Sequence, residues 1–259
     1  MTLFESAGGS GPAQVKMVVA YDGTDFSGFA AQPNQSHVRT VGGVLAAAIG
    51  KVLRHPVDLA CAGRTDAGVH AWSQVVSFTA QPGLDPWKLA AAVTSMLGPE
   101  IVVRSCELVD PGLDARHSAL WRKYRYTIVN RPVPDPFRDR FTWWIPEPLD
   151  MRALWMAADP FVGDHDFASF CRKGGEGSTT MRTVQESSWV DEGDGVLRYE
   201  IRAVAFCWQM VRAIVGTLAE VGVGKRRPGE MLGLIAARDR SVAGQLAPAL
   251  GLCLWDVGY

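Results

Sequence analysis

The sequence lacks an excess of charge of either sign. Lys plus Arg number 26 against 27 Asp plus Glu, a net charge of −1. Attachment to nucleic acid or membrane by bulk charge is therefore excluded, and any polyanion must be met by a local patch. Long apolar runs are also missing. A membrane span needs roughly 20 apolar residues, and the most apolar uncharged run, Ala203 to Val211, is about half that and contains Gln209. No basic flank followed by an apolar run opens the chain, so there is no secretory signal pattern. Cysteine is sparse: Cys61, Cys106, Cys171, Cys207 and Cys253 are odd in number and lie more than thirty positions apart. That is no disulfide framework; it reads as reduced, mostly buried thiols of a cytosolic protein. The five histidines are scattered too, and no zinc-type spacing of ligands occurs. With 47% hydrophobic and 20% charged residues the composition is that of a folded globular chain, not a disordered one.

The pattern along the chain alternates between strand and helix periods. Residues 1–13, with Ser-Ala-Gly-Gly-Ser-Gly-Pro-Ala over 6–13, read as a flexible leader. Val15, Met17, Val19 and Tyr21 then recur with period two, a strand. From Thr40, a suitable N-cap, Val41, Val44, Leu45, Ala48, Val52 and Leu53 form one helical stripe. Val57 to Cys61 and His70 to Thr79 read as strands, the second with Trp72, Gln74, Val76 and Phe78 on one face. Asp85-Pro86 opens a helix to about Leu97, and Ile101 to Leu108 is a strand. The second half repeats the order: a strand over Trp121 to Val129, a helix capped by Asp150, strands over Thr183 to Val190 and Val196 to Phe206, helices near Trp208 to Val221 and Pro228 to Arg238, and a closing strand over Leu252 to Val257. The expected fold is α+β: two ferredoxin-like β-α-β-β-α-β units with mainly antiparallel sheets. Pro111-Gly112 marks the join, so the units run 14–112 and 113–259.

The stretch most suggestive of chemistry is Gly63-Arg64-Thr65-Asp66-Ala67-Gly68-Val69-His70, between two predicted strands. Glycines bracketing an acid and a base make a shaped loop, and a guanidinium beside Asp66 would favour its ionised form. The same residues also suit an ordinary turn carrying a weak surface ion pair. There is no dinucleotide fingerprint, and Gly174-Gly175-Glu176-Gly177 lacks the Lys and hydroxyl of a phosphate loop. Tyr124, Tyr126 and Ile128 alternate with Lys123, Arg125 and Thr127, which by period alone turns both tyrosines to the core. Between Asp114 and Arg140 seven basic residues, among them Arg116, Arg122 and Arg125, face three acids, a local excess of +4 of the kind that meets phosphates.

Taken in order, these segments resemble the tRNA pseudouridine synthase A family. The resemblance rests on Gly63-Arg64-Thr65-Asp66-Ala67-Gly68-Val69-His70-Ala71; on Tyr21-Asp22-Gly23-Thr24 with Phe26, Gly28, Phe29 and Gln32; on Ala115-Arg116-His117-Ser118-Ala119 with Arg122 to Tyr126; on Gly163 with Asp166-Phe167, Ser169-Phe170 and Arg182-Thr183-Val184; on Phe206 with Gln209 to Arg212; and on Ala247-Pro248-Ala249 with Gly251-Leu252. Departures from the family pattern sit at Ala30-Ala31, Gly42-Gly43 and Thr94 to Met96. The resemblance implies the pseudouridine-synthase fold and isomerisation of uridines 38, 39 and 40 in the anticodon arm of tRNA. It also implies a homodimer in the cytoplasm, with no cofactor and no metal. By match, Asp66 is the nucleophile, Arg64 and Arg212 belong to the catalytic site, and Tyr124 contacts the uracil. A target base within a stem must be extruded, and Arg64 is the candidate to fill the gap. A glycosidase, the alternative for a lone carboxylate loop, would require a second facing carboxylate, and none stands out near Asp66.

Overall fold

The computed structural model describes residues 13–30, 38–172 and 179–259. The leader as far as residue 12, Ala31, Gln32, Lys173 and the Gly174–Gly177 loop lie outside the described residues. Ala13, expected in the leader, already belongs to the first strand. The chain divides into two compact units. The first covers the described residues up to Leu120 together with Leu254–Tyr259, and the second is Trp121–Cys253.

The first unit runs β1 (Ala13–Tyr21), α1 (Val41–Leu53), β2 (Ala60–Cys61), β3 (His70–Ala80), α2 (Pro86–Leu97) and β4 (Ile101–Val109). Its two helices start where the sequence supplies a cap. Thr40 accepts a hydrogen bond from Gly43 N, and Asp85, followed by Pro86, accepts one from Lys88 N. β1 lies between β3 and β4 and is antiparallel to both, and β2 pairs with the middle of β3. In the register of β1 with β3, Val15 faces Phe78, Met17 faces Val76 and Val19 faces Gln74. All six are sealed from solvent. Apolar partners explain five of them; Gln74 is the polar member of the row. Trp72, expected on this buried face, is 44% exposed. It stacks on Trp255 at 5.7 Å, and the Arg104 guanidinium lies over its ring at 4.1 Å.

The second unit contains β5 (Trp121–Val129), β6 (Trp143–Trp144), α3 (Met151–Ala158), β7 (Gly163–Asp166), β8 (Met181–Asp191), β9 (Val196–Ala203), α4 (Met210–Gly222) and α5 (Met231–Ala237). The last strand, β10 (Leu252–Gly258), follows them in sequence, yet from Leu254 on it groups with the first unit, where it neighbours β3. In the second unit β9 lies between β5 and β8, and β7 borders β8, all antiparallel; the two-residue β6 runs parallel to β5. One face of β5 and β9 joins Tyr124 with Ile201, Tyr126 with Tyr199 and Ile128 with Leu197, all buried. Along α4 apolar residues on nearly every side are buried. Its expected start at Trp208 shifts to Met210 because Gln209 adopts a left-handed φ of 64° and cannot join the helix. The strand expected to reach Phe206 ends at Ala203, where the chain bends toward that turn. Among the described residues no helix is long and apolar enough to cross a membrane, and no group of three or more His, Cys, Asp or Glu could hold a metal ion.

Candidate active site

Asp66 lies in the connection between β2 and β3, which has no regular structure of its own. Backbone polar groups in such a loop need partners from elsewhere, and the segment after β1 supplies them. Phe29 N donates to Thr65 O at 3.0 Å, and Gly68 N donates to Phe26 O at 3.3 Å. Within the loop Val69 N donates to Asp66 O at 3.1 Å. Two glycines allow the approach. A Cβ at Gly23 would stand 2.0 Å from Val69 O, and Gly28 holds a φ of +93° with Thr65 O 2.9 Å from where its Cβ would be. Tyr21, Gly23, Phe26, Gly28 and Phe29 thus form a cradle under the Asp66 loop, a physical reason for the order of the opening motif.

Buried polar side chains complete the support. The hydroxyls of Tyr21 and Thr65 are 2.8 Å apart. Gln74 donates from Nε2 to Gly63 O at 2.6 Å and accepts from Gly63 N at Oε1, 3.3 Å away. Its amide also reaches Tyr21 Oη at 3.4 Å. The polar member of the β1–β3 row is therefore the anchor of the loop's first glycine. On the far side His70, buried, accepts from Gly23 N at Nδ1 (3.0 Å), with Asp22 Oδ1 3.2 Å from the same nitrogen. Asp66 itself is half-buried. Arg64 is exposed, and its side chain makes no ion pair or hydrogen bond among the described residues, so the expected surface pair with Asp66 does not form. Arg116, also in the first unit, is exposed.

In the second unit Tyr124 stands on β5, 8% exposed, with Phe206 edge-on at 4.9 Å. Tyr126 is fully buried and donates its hydroxyl to Pro248 O at 2.8 Å. Burial pushes its phenol far above the usual range. The two tyrosines that share a period therefore differ: Tyr126 is sealed, whereas Tyr124 keeps a small accessible surface. Arg212, on the first turn of α4, donates from Nε to Ala247 O at 2.7 Å, and Ala247 N donates back to Arg212 O at 3.1 Å. The segment Ala247-Pro248 thus fixes both Arg212 and Tyr126.

The opposite face of β5 and β9 corrects the charge reading. Glu200, 9% exposed, meets Lys123 at 2.6 Å, Arg125 at 2.7 Å and Arg198 at 2.9 Å. Glu186 meets Lys123 at 3.3 Å and Arg202 at 2.9 Å. The Arg125 and Arg198 contacts are ionic rather than directed, since Arg125 Nε, Arg198 Nε and Glu200 Oε1 lack hydrogen-bond geometry. Burial opposes ionisation of Glu200, but the Lys123 hydrogen bond and the charges of Arg125, Lys123 and Arg198 outweigh it and hold the carboxyl below its usual range. Part of the +4 counted along the sequence is therefore neutralised across the strands, Arg125 included. Arg122 donates from Nη1 to Val204 O at 2.9 Å.

A family model described as tRNA pseudouridine synthase matches residues 17–112 and 157–259. The chain belongs to the tRNA pseudouridine synthase family. A relative from Leifsonia xyli subsp. xyli, named tRNA pseudouridine synthase A, is 42% identical over 265 residues, covering 94% of this chain and 91% of its own. One of the same name from Brevibacillus brevis is 43% identical over 246 residues, covering 95% and 99%. A third, from Moorella thermoacetica, is 39% identical and covers 95% and 99%. The family isomerises uridine to pseudouridine in tRNA. The motif residues were legible in this synthase's sequence; Gln74 as an anchor was not. Its signal was a polar residue at a core position of an alternating strand, which demands a buried partner.

Proposed function

We propose that this synthase converts uridines 38, 39 and 40 of the tRNA anticodon stem-loop to pseudouridine, with Asp66 as nucleophile, a flipped-out target base and no cofactor. The observation that carries the reading is the build of the Asp66 loop. A connection without secondary structure is held by backbone bonds, two glycine contacts and a buried Tyr21–Thr65–Gln74 network, which is more support than a surface turn needs. The reaction breaks the N1–C1′ bond, rotates the uracil and joins C5 to C1′, and the C5 proton leaves to restore the ring. It consumes no redox equivalent and no nucleoside triphosphate. An ionised carboxylate serves every route: addition to C6, attack at C1′, or removal of the C2′ proton. Tyr124 offers a flat face, and stacking is worth about 1–3 kcal/mol per base. Arg64, exposed and without a protein partner among the described residues, suits insertion where the base has left the stack. Arg212 belongs to the catalytic site by the family match, and Arg116 and Arg122 meet phosphates; Arg125, engaged with Glu200, contributes less. The order β4-β1-β3 with β2 on β3 supports a ferredoxin-like first unit. The synthase acts as a homodimer in the cytoplasm. Mapping pseudouridines in tRNA from cells with and without the gene tests this reading: loss at 38, 39 and 40 is expected, and an unchanged pattern there refutes it.

A further inference from the structure

Two of the five thiols lie close together in the second unit, and neither has a role in the function proposed above. Cys171 follows the 3-10 turn Phe167–Phe170 and is buried; Cys207 follows Phe206 and is half-buried. Far apart in sequence, they are joined in space one residue further on, where Arg172 N donates to Trp208 O at 3.0 Å. The Arg172 guanidinium lies over the Trp208 ring at 4.3 Å, a second tie between the same segments. The two thiols are close enough to perturb each other's protonation. Cys207 Sγ also lies 3.9 Å from Thr180 O.

Their surroundings distinguish the two sulfurs. The neighbouring Cys207 thiol, then burial, keeps the proton on Cys171, while the neighbouring Cys171 thiol draws Cys207 below its usual range. Arg182 favours the thiolate at both. Its Nε is buried and lacks a hydrogen-bond partner among the described residues, so that cation is not consumed locally at this atom. Asp166 opposes it, but that carboxylate is engaged by Thr180 Oγ1 at 2.5 Å and Arg238 Nε at 3.1 Å. A half-buried sulfur beside a buried one is the arrangement of an accessible attacking cysteine and a shielded resolving one.

We propose that Cys171 and Cys207 are a redox-active dithiol that reacts with small disulfides or hydroperoxides at Cys207 and closes to an intramolecular disulfide. With a disulfide RSSR, the Cys207 thiolate attacks one sulfur and expels RS⁻, leaving a mixed disulfide. Cys171 then gives up its proton, attacks the Cys207 sulfur and expels the second RS⁻. Two protein thiols are oxidised, and RSSR is reduced to two RSH. With a hydroperoxide ROOH, Cys207 becomes a sulfenic acid as ROH leaves, and Cys171 displaces water from it. Intracellular disulfides of this kind are usually transient or sensing ones.

The site adjoins residues with proposed roles. Phe206 meets Tyr124 edge-on, and Cys207 O accepts from Met210 N at 3.2 Å at the start of the helix carrying Arg212. Closing the disulfide clamps this turn to residue 171 and is expected to slow uridine turnover on the order of 10- to 100-fold, as small displacements of catalytic groups do. That consequence rests on the function proposed above; the disulfide does not.

The test exposes the purified full chain to oxidised glutathione, and separately to hydrogen peroxide, and maps disulfides in non-reducing peptide digests. The expected result is a Cys171–Cys207 link, reversed by dithiothreitol. Cys171→Ser and Cys171→Ala should stop at a glutathione adduct on Cys207, and Cys207→Ser should leave Cys171 unmodified. Arg182→Gln should slow the first step. Both thiols intact after prolonged exposure, or oxidation confined to Cys61, Cys106 and Cys253, overturns the proposal. A link that forms without changing turnover upholds the dithiol and removes its coupling to the site. Absence of turnover in the reduced wild type counts against the proposed function alone.

Discussion

Replacing Gln74 with leucine isolates the support of the Asp66 loop from its chemistry. Gln74 has no exposed surface, and leucine nearly fills its volume, so the cavity cost is small. The substitution removes the pair of hydrogen bonds to Gly63, from Nε2 to its oxygen at 2.6 Å and from its nitrogen to Oε1 at 3.3 Å. Each orphaned buried group costs about 1–3 kcal/mol, and Gly63 is half-buried, so water recovers part of it. The expected loss of stability is about 2–4 kcal/mol, a substantial share of the roughly 5–15 kcal/mol that holds a domain folded. Gly63 lies three residues before Asp66, so the loop shifts as well. A displacement of about 1 Å at a reacting group costs on the order of 100-fold in rate. Urea unfolding followed by circular dichroism measures the first effect; single-turnover conversion of tRNA with saturating enzyme measures the second, free of binding. The variant should bind tRNA normally and convert it slowly. Stability within about 0.5 kcal/mol of wild type, together with unchanged single-turnover rates, refutes the claim that this network positions Asp66.

Asp66→Asn should abolish single-turnover conversion while sparing the fold and tRNA affinity, because an amide is a poor nucleophile and a poor base; near-normal conversion removes the catalytic assignment. Tyr124→Phe should retain tRNA affinity and Tyr124→Ala should lose more, as filter binding will show; wild-type turnover in both makes Tyr124 a core residue only. Glu200→Gln should destabilise the second unit at neutral pH, and acid should erase the difference. A carboxyl held below its usual range stabilises the fold above its unfolded pKa of about 4.3 and ceases to do so as pH falls through the lowered native value. Urea midpoints that differ equally at pH 7 and below pH 3 contradict this. Neutralising Arg116 and Arg122 together should flatten the log–log salt dependence of tRNA binding, by up to about 0.9 for every phosphate the protein then leaves unneutralised; an unchanged slope places the RNA elsewhere.

Local rules carried much of the architecture. Thr40, Asp85 and Asp150 cap helices as their positions suggest, each accepting a backbone N–H three residues on. Period two identified β1, β3 and β5 because one face of each is buried. β7 escaped notice because Gly163-Asp164-His165-Asp166 has no apolar alternation; it forms by pairing with β8. Counting charges within a window missed Glu186 and Glu200, which reach Lys123 and Arg125 only once the strands align. Of the candidate site, Asp66, Tyr124 and Arg212 stood out by resemblance, but what holds them did not. Gly23 against Val69, Gln74 against Gly63 and Ala247 against Arg212 are contacts between segments distant in sequence, and no local period encodes them.

The return of Leu254–Tyr259 to the first unit makes that unit discontinuous along the chain, while the second is a single stretch. Synthesis from the N-terminus therefore leaves the first unit without β10 while residues 121–253 are added. At about 5–20 residues per second that interval is on the order of 10 seconds, long compared with strand pairing. Throughout it the flank of β3 that will receive β10 is covered only by the two-residue β2, and the rest of that edge is open to association with other nascent chains. The ribosome thus completes the continuous unit before the one bearing Asp66, and deleting Leu254–Tyr259 should leave a chain that aggregates rather than one that merely works less well.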